Sequence, residues 1–354
     1  MNGKKALKIL GSILLGILFL WLAFRGVELS EIWESTKGMK WWWMAPFTAA
    51  TLFAHYIRAL RWEMLFTNKE KVPAKITLYT GVMFGYLVNI PLPRVGEVAR
   101  PVYVARQVGE SNSKIIGTIV LERVVDLIGM LLLMAFVVVF LIADPQVLSR
   151  LFGVDITDSA TQIDLLLTIG TFGIIGLMAL GLLYWLFKLA AQKTEGKIFE
   201  IVTKIQKVFR TFVDGVLAIR ELKNWPLFIF HSGLIWALYI FMTYAGFWMF
   251  DMQTEFSLGI TEAVVLTVVS AVGLSIPTPG GIGSYHLFIT KALFIFYGVP
   301  EVTGLAYATI SHATTLVIIF IVSPSLLAID KFLGMKREAR GTPNIEHPAR
   351  NIEG

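Results

Sequence analysis

The residues best suited to chemistry are three ionisable side chains within one long apolar segment. Glu122, Arg123 and Asp126 interrupt the hydrophobic run 115–143, and the two acids are four residues apart. At that spacing both acids lie on one face of a helix. Charges are costly in an apolar environment, so these residues are candidates for a substrate or proton pathway. The alternative is structural, with Arg123 extending to the edge of the apolar layer and the acids paired with arginines elsewhere.

Four arginines supply a second kind of chemistry, the recognition of phosphate. Arg58 and Arg61 end one hydrophobic segment, and Arg94 and Arg100 follow the next. The planar guanidinium donates paired hydrogen bonds that match a phosphate group. Glu97 lies close to Arg94, and a chain that only needed to turn would require neither charge. This pair is the leading candidate for binding, and the alternative is a mutual salt bridge that holds the turn.

The elements that must position these residues include two breaks of similar composition. Each has a polar residue, then Ile-Pro-x-Pro, then glycine, at 89–97 and 275–283. Proline and glycine end helices and free backbone groups. At membrane depth such groups survive only inside protein or beside a wet cavity. Paired breaks are typical of transporters with inverted repeats, in which the binding site lies between them.

The second break is rich in glycine. Gly280, Gly281 and Gly283 let the backbone approach a partner closely. His286 follows near the start of the next predicted helix, where an anion would be favoured. The alternative is that these glycines serve only close packing between helices.

Composition identifies an integral membrane protein. The chain is 56% hydrophobic and 16% charged, whereas soluble domains carry about 25% charged residues. It has no cysteine, and its five histidines show no metal-ligand spacing, so we expect neither a metal nor another cofactor. The net charge of +6 is the expected result of basic cytoplasmic loops beside an anionic leaflet. Nucleic acid is therefore not an expected partner.

The distribution of charge predicts how the chain crosses the membrane. Basic residues cluster before the first apolar segment, within 188–224 and after 330, which places these regions and both termini in the cytoplasm. About six full transmembrane helices plus two hairpins, at 76–110 and 259–303, satisfy this distribution. The hairpins enter from opposite faces, and each carries one break. The predicted fold is all-α and polytopic, with a pattern consistent with an inverted repeat.

Residues 1–330 are predicted to form a single transmembrane domain. It includes an amphipathic helix at 197–220 on the inner leaflet, because apolar residues recur there at helical spacing and basic residues occupy much of the other face. The charged segment 331–354, which also contains glycine and proline, is predicted to be a disordered cytoplasmic tail.

Four motifs occur in order along the chain. They are Arg58-x-x-Arg61-Trp62, Leu92-Pro93-Arg94-x-Gly96-Glu97-x-x-Arg100, Glu122-Arg123-x-x-Asp126 and Pro277-x-Pro279-Gly280-Gly281-x-Gly283. Together they resemble the flippase-like membrane family whose type case is the transmembrane flippase domain of lysylphosphatidylglycerol synthases. The resemblance covers about residues 6–330. The sequence departs from the family at His286, where many relatives carry glutamate. Only a short polar tail follows the last span, so we do not expect synthesis of lysyl-lipid.

The resemblance implies a protein of a bacterial-type inner (plasma) membrane that moves a phospholipid or a polyprenyl-linked lipid between leaflets. The arginines would attract the phosphate, the acids would set the charge balance and contact an amine or carry a proton, and the glycines would complete the cavity. We expect no catalytic residue. The expected headgroup-binding residues are Arg58, Arg61, Arg94, Glu97, Arg100, Glu122, Arg123, Asp126, Gly280, Gly281, Gly283 and His286.

Three other functions stay open at this point. An enzyme acting on lipid phosphate would need a nucleophile or a base, for which Ser284 and His286 are the candidates. A non-transporting partner would instead stabilise a lipid-pathway enzyme. A secondary transporter of a small solute would also fit the paired hairpins. Association into a homo-oligomer is compatible with each of these functions.

Overall fold

A computed structural model describes residues 3–66, 72–109, 111–143 and 222–339, together with the isolated positions 171, 178, 181 and 185. The chain divides into two compact units, one formed by 1–137 with 222–354 and the other by 138–221. The amphipathic helix predicted at 197–220 lies outside the described residues. The architecture below is that of the first unit.

The described part of the chain is helical and contains no β-strand. Short 3-10 segments at Trp41–Trp43 and Pro279–Gly281 join some of the helices. The α-helices are α1 (Gly3–Phe24), α2 (Leu29–Lys37), α3 (Met44–Glu63), α4 (Lys75–Asn89), α5 (Gly96–Val108), α6 (Asn112–Ala143), α7 (Trp225–Met249), α8 (Met252–Glu255), α9 (Ile260–Ser275), α10 (Ser284–Tyr297) and α11 (Glu301–Ala339).

The length and apolarity of these helices establish a helical membrane protein. Of the described residues, α7 and the stretch Glu301–Lys336 of α11 are long and apolar enough to cross a membrane. A third span results if Ile9–Phe24 and Leu29–Lys37, which are bent by 69°, count as one broken segment. Gly26 lies in this bend with φ of +82°. The larger number expected from the sequence, about six full spans, stays a prediction.

The last helix differs from the sequence-based expectation at its end. α11 continues through 331–339, a segment predicted to belong to the disordered tail. The physical reason is local, because this segment is rich in good helix formers such as lysine, leucine, methionine and alanine. Residues 340–354 lie outside the part that the structure describes.

The interior of the unit is formed where α7 packs on α3 and on α9, and where α11 packs on α4 and α10. An apolar core joins α7 to the helices that follow it, and its fully buried members include Phe247, Met249, Leu266, Leu293 and Ala306. Each fully buried large apolar side chain contributes about 1.5–3 kcal/mol relative to exposure to water. Inside a bilayer this term is smaller, and close packing becomes the main attraction between helices.

The first break separates α4 from α5, which pack against each other. The Asn89 side-chain oxygen accepts a hydrogen bond from the Gly96 amide at 2.7 Å. A Cβ at Gly96 would overlap with the carbonyl oxygen of Gly85, so only glycine allows the two helices to approach this closely. Arg94 lies between them with φ of +65°, a left-handed conformation that is uncommon for a residue with a side chain.

The second break separates α9 from α10, and these two helices also pack together. Gly283 has φ of +87°, and a Cβ there would overlap with the carbonyl oxygen of Gly16 in α1. The conformation and the approach both require glycine. For Gly283 the packing alternative is therefore the one that the structure supports, with α1 as the partner.

Candidate functional site

A cavity of about 660 Å³ lies between the two breaks. The first break contributes Asn89, Ile90 and Pro93 to its wall, and the second contributes Ser275 through Thr278 with Gly280 and Gly281. The rest of the wall comes from α3, α4, α6, α7, α9, α10 and α11. Both breaks thus border one cavity, and a binding site in this cavity stays a prediction.

The two breaks touch at their tips. The Arg94 guanidinium donates a hydrogen bond from Nη2 to the backbone carbonyl of Ser275 at 3.0 Å. A Cβ at Gly280 would lie 3.6 Å from the Cα of Ile90, at van der Waals distance. The break backbones therefore face each other across one end of the cavity, and one hydrogen bond of Arg94 connects them.

Among the described residues, three charged side chains line the cavity, those of Arg94, Glu97 and Arg123. Glu97 Oε1 is 3.5 Å from Arg123 Nη2, and both side chains are 44% exposed. The mutual salt bridge of Arg94 with Glu97, considered as an alternative above, is thus replaced by a pair between Glu97 and Arg123. Among the residues that the structure describes, Arg94 has no carboxylate partner. Arg94 therefore keeps most of its donors available to an anion.

The other predicted ionisable residues meet in a buried cluster formed by Arg58, Arg61, Arg100, Glu122 and Asp126. Arg100 holds Glu122 through two hydrogen bonds, of 3.0 and 2.9 Å. Arg58 Nη1 lies 2.8 Å from Glu122 and 3.1 Å from Asp126. Arg61 Nη2 donates to Asp126 at 2.6 Å. Since three guanidinium groups face two carboxylates, the cluster carries one excess positive charge.

Aromatic and hydroxyl groups complete the surroundings of this cluster. The Arg100 guanidinium lies 3.9 Å from the ring centroid of Trp62, a cation–π geometry. Trp62 Nε1 in turn donates to the Thr118 hydroxyl at 2.7 Å. Arg61 Nη1 donates to Ser232 at 3.1 Å. These bonds connect α3, α5, α6 and α7. We call the cluster of Arg58, Arg61, Arg100, Glu122 and Asp126 the brace, because it holds these helices together.

Burial separates the brace from the cavity. Arg58, Arg61 and Glu122 are 5%, 0% and 0% exposed, and none of them lines the large cavity. Arg100 borders a second space of about 20 Å³, together with Glu97 and Arg123. The cluster contacts two residues of the cavity wall. Arg58 Nη2 donates at 3.3 Å to the Tyr239 hydroxyl, and Asp126 Oδ2 lies 3.7 Å from Arg123 Nη1.

One family comparison bears on identity. The family described as the lysylphosphatidylglycerol synthase TM region matches residues 9–323. The chain belongs to this family. No curated protein and no solved structure matches the chain. Membership establishes a membrane domain of a family concerned with lipid modification or transport.

In this family member the predicted site residues fall into three places. Arg94, Glu97, Arg123, Gly280 and Gly281 line the large cavity. The second group is the brace, whose residues do not line the large cavity. Gly283 and His286 contribute elsewhere: Gly283 packs on α1, and the buried His286 ring meets that of His312 edge-on, with centroids 5.3 Å apart.

Several residues of the cavity were not singled out from the sequence. Tyr285 stacks on His312 with ring centroids 4.8 Å apart, and both line the cavity. Tyr307, Ser311 and Thr315 line it from α11. Their spacing of four residues was a usable signal, since such residues share one face of a helix. The described residues contain no cluster of His, Cys, Asp or Glu that could hold a metal ion.

Proposed function

We propose that this protein translocates an anionic lipid across the membrane and that it binds the headgroup in the cavity between the two breaks. The observation that carries the proposal is the position of Arg94. It lies at the cavity, at the meeting point of both tips, and its described partner there is a neutral backbone carbonyl. A phosphate oxygen is a stronger acceptor than this carbonyl, because it carries negative charge and a phosphate can accept two parallel hydrogen bonds from one guanidinium.

The charge of the wall supports an anionic ligand. Arg94 and Arg123 outnumber Glu97, and the brace behind the wall adds a further positive charge. Headgroup phosphate at Arg94 would exchange its water shell for guanidinium donors in a partly dry space, where electrostatic attraction is stronger than in water. Arg58, Arg61, Arg100 and Glu122 would contribute through this field and by holding the helices.

The proposal includes the membrane topology expected from the sequence. The pairs α4–α5 and α9–α10 would be the two hairpins that enter from opposite faces of a bacterial-type inner membrane, with about six full spans around them and both termini in the cytoplasm. Separation of the tips would break the bond between Arg94 and Ser275. The cavity would then be accessible to one leaflet or to the other, while the brace keeps α5 fixed to α3 and α6.

In this proposal the protein carries out no covalent step. Transport of a small solute shares the same cavity, so a test must separate solute from lipid. A role as a partner of a lipid-pathway enzyme predicts no movement of lipid by the purified protein alone. Such a partner role, and association of identical copies, would be detected when the protein is purified under mild conditions.

The test is lipid movement in liposomes that contain the purified protein. Acyl-labelled anionic and zwitterionic lipids would be compared for wild type, Arg94→Ala and Arg106→Ala. Arg106 is a matched control, because it is an exposed arginine of α5 that lies outside the cavity. We expect Arg94→Ala to abolish movement of anionic lipid and Arg106→Ala to preserve it. Wild-type rates from folded Arg94→Ala protein would overturn the proposal, and gradient-driven solute uptake without lipid movement would favour a solute transporter.

A further inference from the structure

Away from Arg94, Glu97 and Arg123, the described wall of the cavity contains no Asp, Glu, Lys or Arg, and it combines hydroxyl groups with apolar side chains such as Met242, Leu274 and Leu316. Two helices provide most of its hydroxyl groups, with Thr267, Ser270 and Ser275 on α9 and Ser311 and Thr315 on α11. Tyr239, Tyr285 and Tyr307 add aromatic surface. A purely hydrocarbon ligand would leave the free lone pairs of these hydroxyl groups without donors, and burial of unpaired polar atoms is unfavourable. The lining therefore points to a ligand that forms hydrogen bonds.

Three serine and threonine hydroxyl groups of this wall, those of Ser270, Ser275 and Thr315, already use their protons within the protein and can only accept a hydrogen bond from a ligand. Ser270 donates to the Thr267 carbonyl at 2.7 Å, and Ser275 donates to the Val272 carbonyl at the same distance. Thr315 donates to the Ser311 carbonyl at 3.1 Å. A hydroxyl has one proton to donate and two lone pairs, so these side chains retain only lone pairs for a ligand. The complementary ligand is rich in donors, as hydroxyl groups and ammonium groups both are.

The charge around the cavity distinguishes between these two donors. Among the described wall residues Glu97 is the single carboxylate, and it is paired with Arg123. An ammonium group deeper in the cavity would lose its water without gaining a carboxylate, which is strongly unfavourable. It would also meet the positive field of Arg94, Arg123 and the brace. The tyrosine faces attract cations, but they do not replace a counter-charge. Uncharged hydroxyl groups incur none of these costs.

We propose that the cavity selects a phosphate ester that carries an uncharged polyhydroxyl group. The phosphate lies at Arg94, and the hydroxyl groups donate to the acceptors of α9 and α11. The tyrosines offer apolar ring faces to the carbon skeleton of the polyol and hydroxyl groups at their edges. This inference rests on the proposed function and specifies its substrate class. Glycerol, inositol and sugar phosphodiesters share this chemistry, either as lipid headgroups or as water-soluble phosphates.

The experiment measures which lipids the purified full chain retains, by native mass spectrometry in detergent. Phosphatidylglycerol is compared with phosphatidylmethanol, which has the same single negative charge and a methyl group in place of the polyol. We expect wild type to prefer phosphatidylglycerol by about tenfold, the ratio given by one or two net hydrogen bonds. Phosphatidylethanolamine and lysylphosphatidylglycerol, which carry ammonium groups, are expected to bind less than phosphatidylglycerol.

A wall variant and a matched control locate the preference. Ser270→Ala combined with Thr315→Val removes two acceptors and should reduce the ratio toward one while binding of phosphatidylmethanol persists. Ser325→Ala is the control, because Ser325 makes the same kind of bond, to the Ile321 carbonyl at 2.8 Å, but lies on the exposed side of α11 outside the cavity. It should leave the ratio unchanged. If glycerol 1-phosphate at equal concentration competes with phosphatidylglycerol for binding, the ligand is a water-soluble phosphate. If it does not compete, the ligand is a lipid.

Two outcomes would overturn this inference. One is equal retention of phosphatidylglycerol and phosphatidylmethanol by wild type, and the other is preferential retention of lysylphosphatidylglycerol. Failure of the proposed function gives a different result, namely that no anionic lipid crosses the liposome membrane whatever its headgroup. Selectivity for the polyol and translocation are thus measured separately.

Discussion

The Arg100 guanidinium holds the Glu122 carboxylate through two hydrogen bonds, of 3.0 and 2.9 Å, at a place where Glu122 is 0% exposed. The two residues belong to different helices, α5 and α6. A charge buried at this depth must be balanced, because loss of one partner leaves the other without water and without a counter-charge. We therefore expect the stability of the unit to depend on Arg100.

Removal of Arg100 should destabilise the protein. We expect Arg100→Ala to lower the free energy of unfolding by about 3–5 kcal/mol, because Glu122 would remain buried with its bidentate partner lost. Arg106→Ala, an exposed arginine on the same helix, should change it by about 0.5 kcal/mol or less. Thermal unfolding of the purified variants measures both. Equal stability of the two variants would contradict the role of the brace.

Replacement of Arg94 should separate stability from transport. Because Arg94 has φ of +65°, Arg94→Gly relieves a left-handed conformation that costs about 1–2 kcal/mol for a residue with a Cβ. We expect Arg94→Gly to be about 1 kcal/mol more stable than Arg94→Ala, whereas both lose lipid movement. Paired measurements of unfolding and of translocation test this. Retained movement in the glycine variant would show that the backbone, and not the guanidinium, is the functional element.

Two glycines with similar backbone conformations should respond differently to a methyl group. Gly26 and Gly283 have φ of +82° and +87°. A Cβ at Gly26 would meet open space, whereas one at Gly283 would overlap with Gly16. We expect Gly283→Ala to destabilise the protein by about 2 kcal/mol more than Gly26→Ala, because only the former adds a steric clash to the conformational strain. Similar melting temperatures for the two variants would contradict the close packing of α1 on the second break.

Asp251 should make a small contribution to stability that depends on pH. It lies after α7, and a hydrogen bond from Lys40, at 2.8 Å, is the main reason why its pKa is below the ordinary value of 3.8. A lowered pKa in the folded state means that the contribution is complete above the ordinary pKa and is lost as the pH falls through the folded value. Asp251→Asn should lower stability slightly at neutral pH, where the contribution is complete, and leave it unchanged at low pH, so that the acid limb of the stability profile becomes shallower. A wild-type acid limb in this variant would contradict the assignment.

The sequence predicted the surroundings of the cavity better than the contacts of the charged residues. The composition of 89–97 and 275–283 was enough to predict that two breaks would flank a cavity, because proline and glycine act locally. The pairing of Arg58, Arg61 and Arg100 with Glu122 and Asp126 depends on contacts between distant helices. A single sequence can therefore offer that pairing only as one of two alternatives. The serine and threonine residues of α9 and α11 recur at helical spacing in the sequence. No local pattern, however, indicates which face of each helix borders the cavity.

The contact between the two tips has a consequence for genetics. Arg94 bonds to the main-chain oxygen of Ser275, an atom that every amino acid possesses. A search for second-site suppressors of an Arg94 substitution should therefore recover none that act by changing the side chain at 275. The brace is different, since both members of a pair such as Arg100 and Glu122 are side chains and a reciprocal exchange can be encoded. The tip contact thus depends on the side chain of Arg94 alone, whereas the brace contact depends on the side chains of both Arg100 and Glu122.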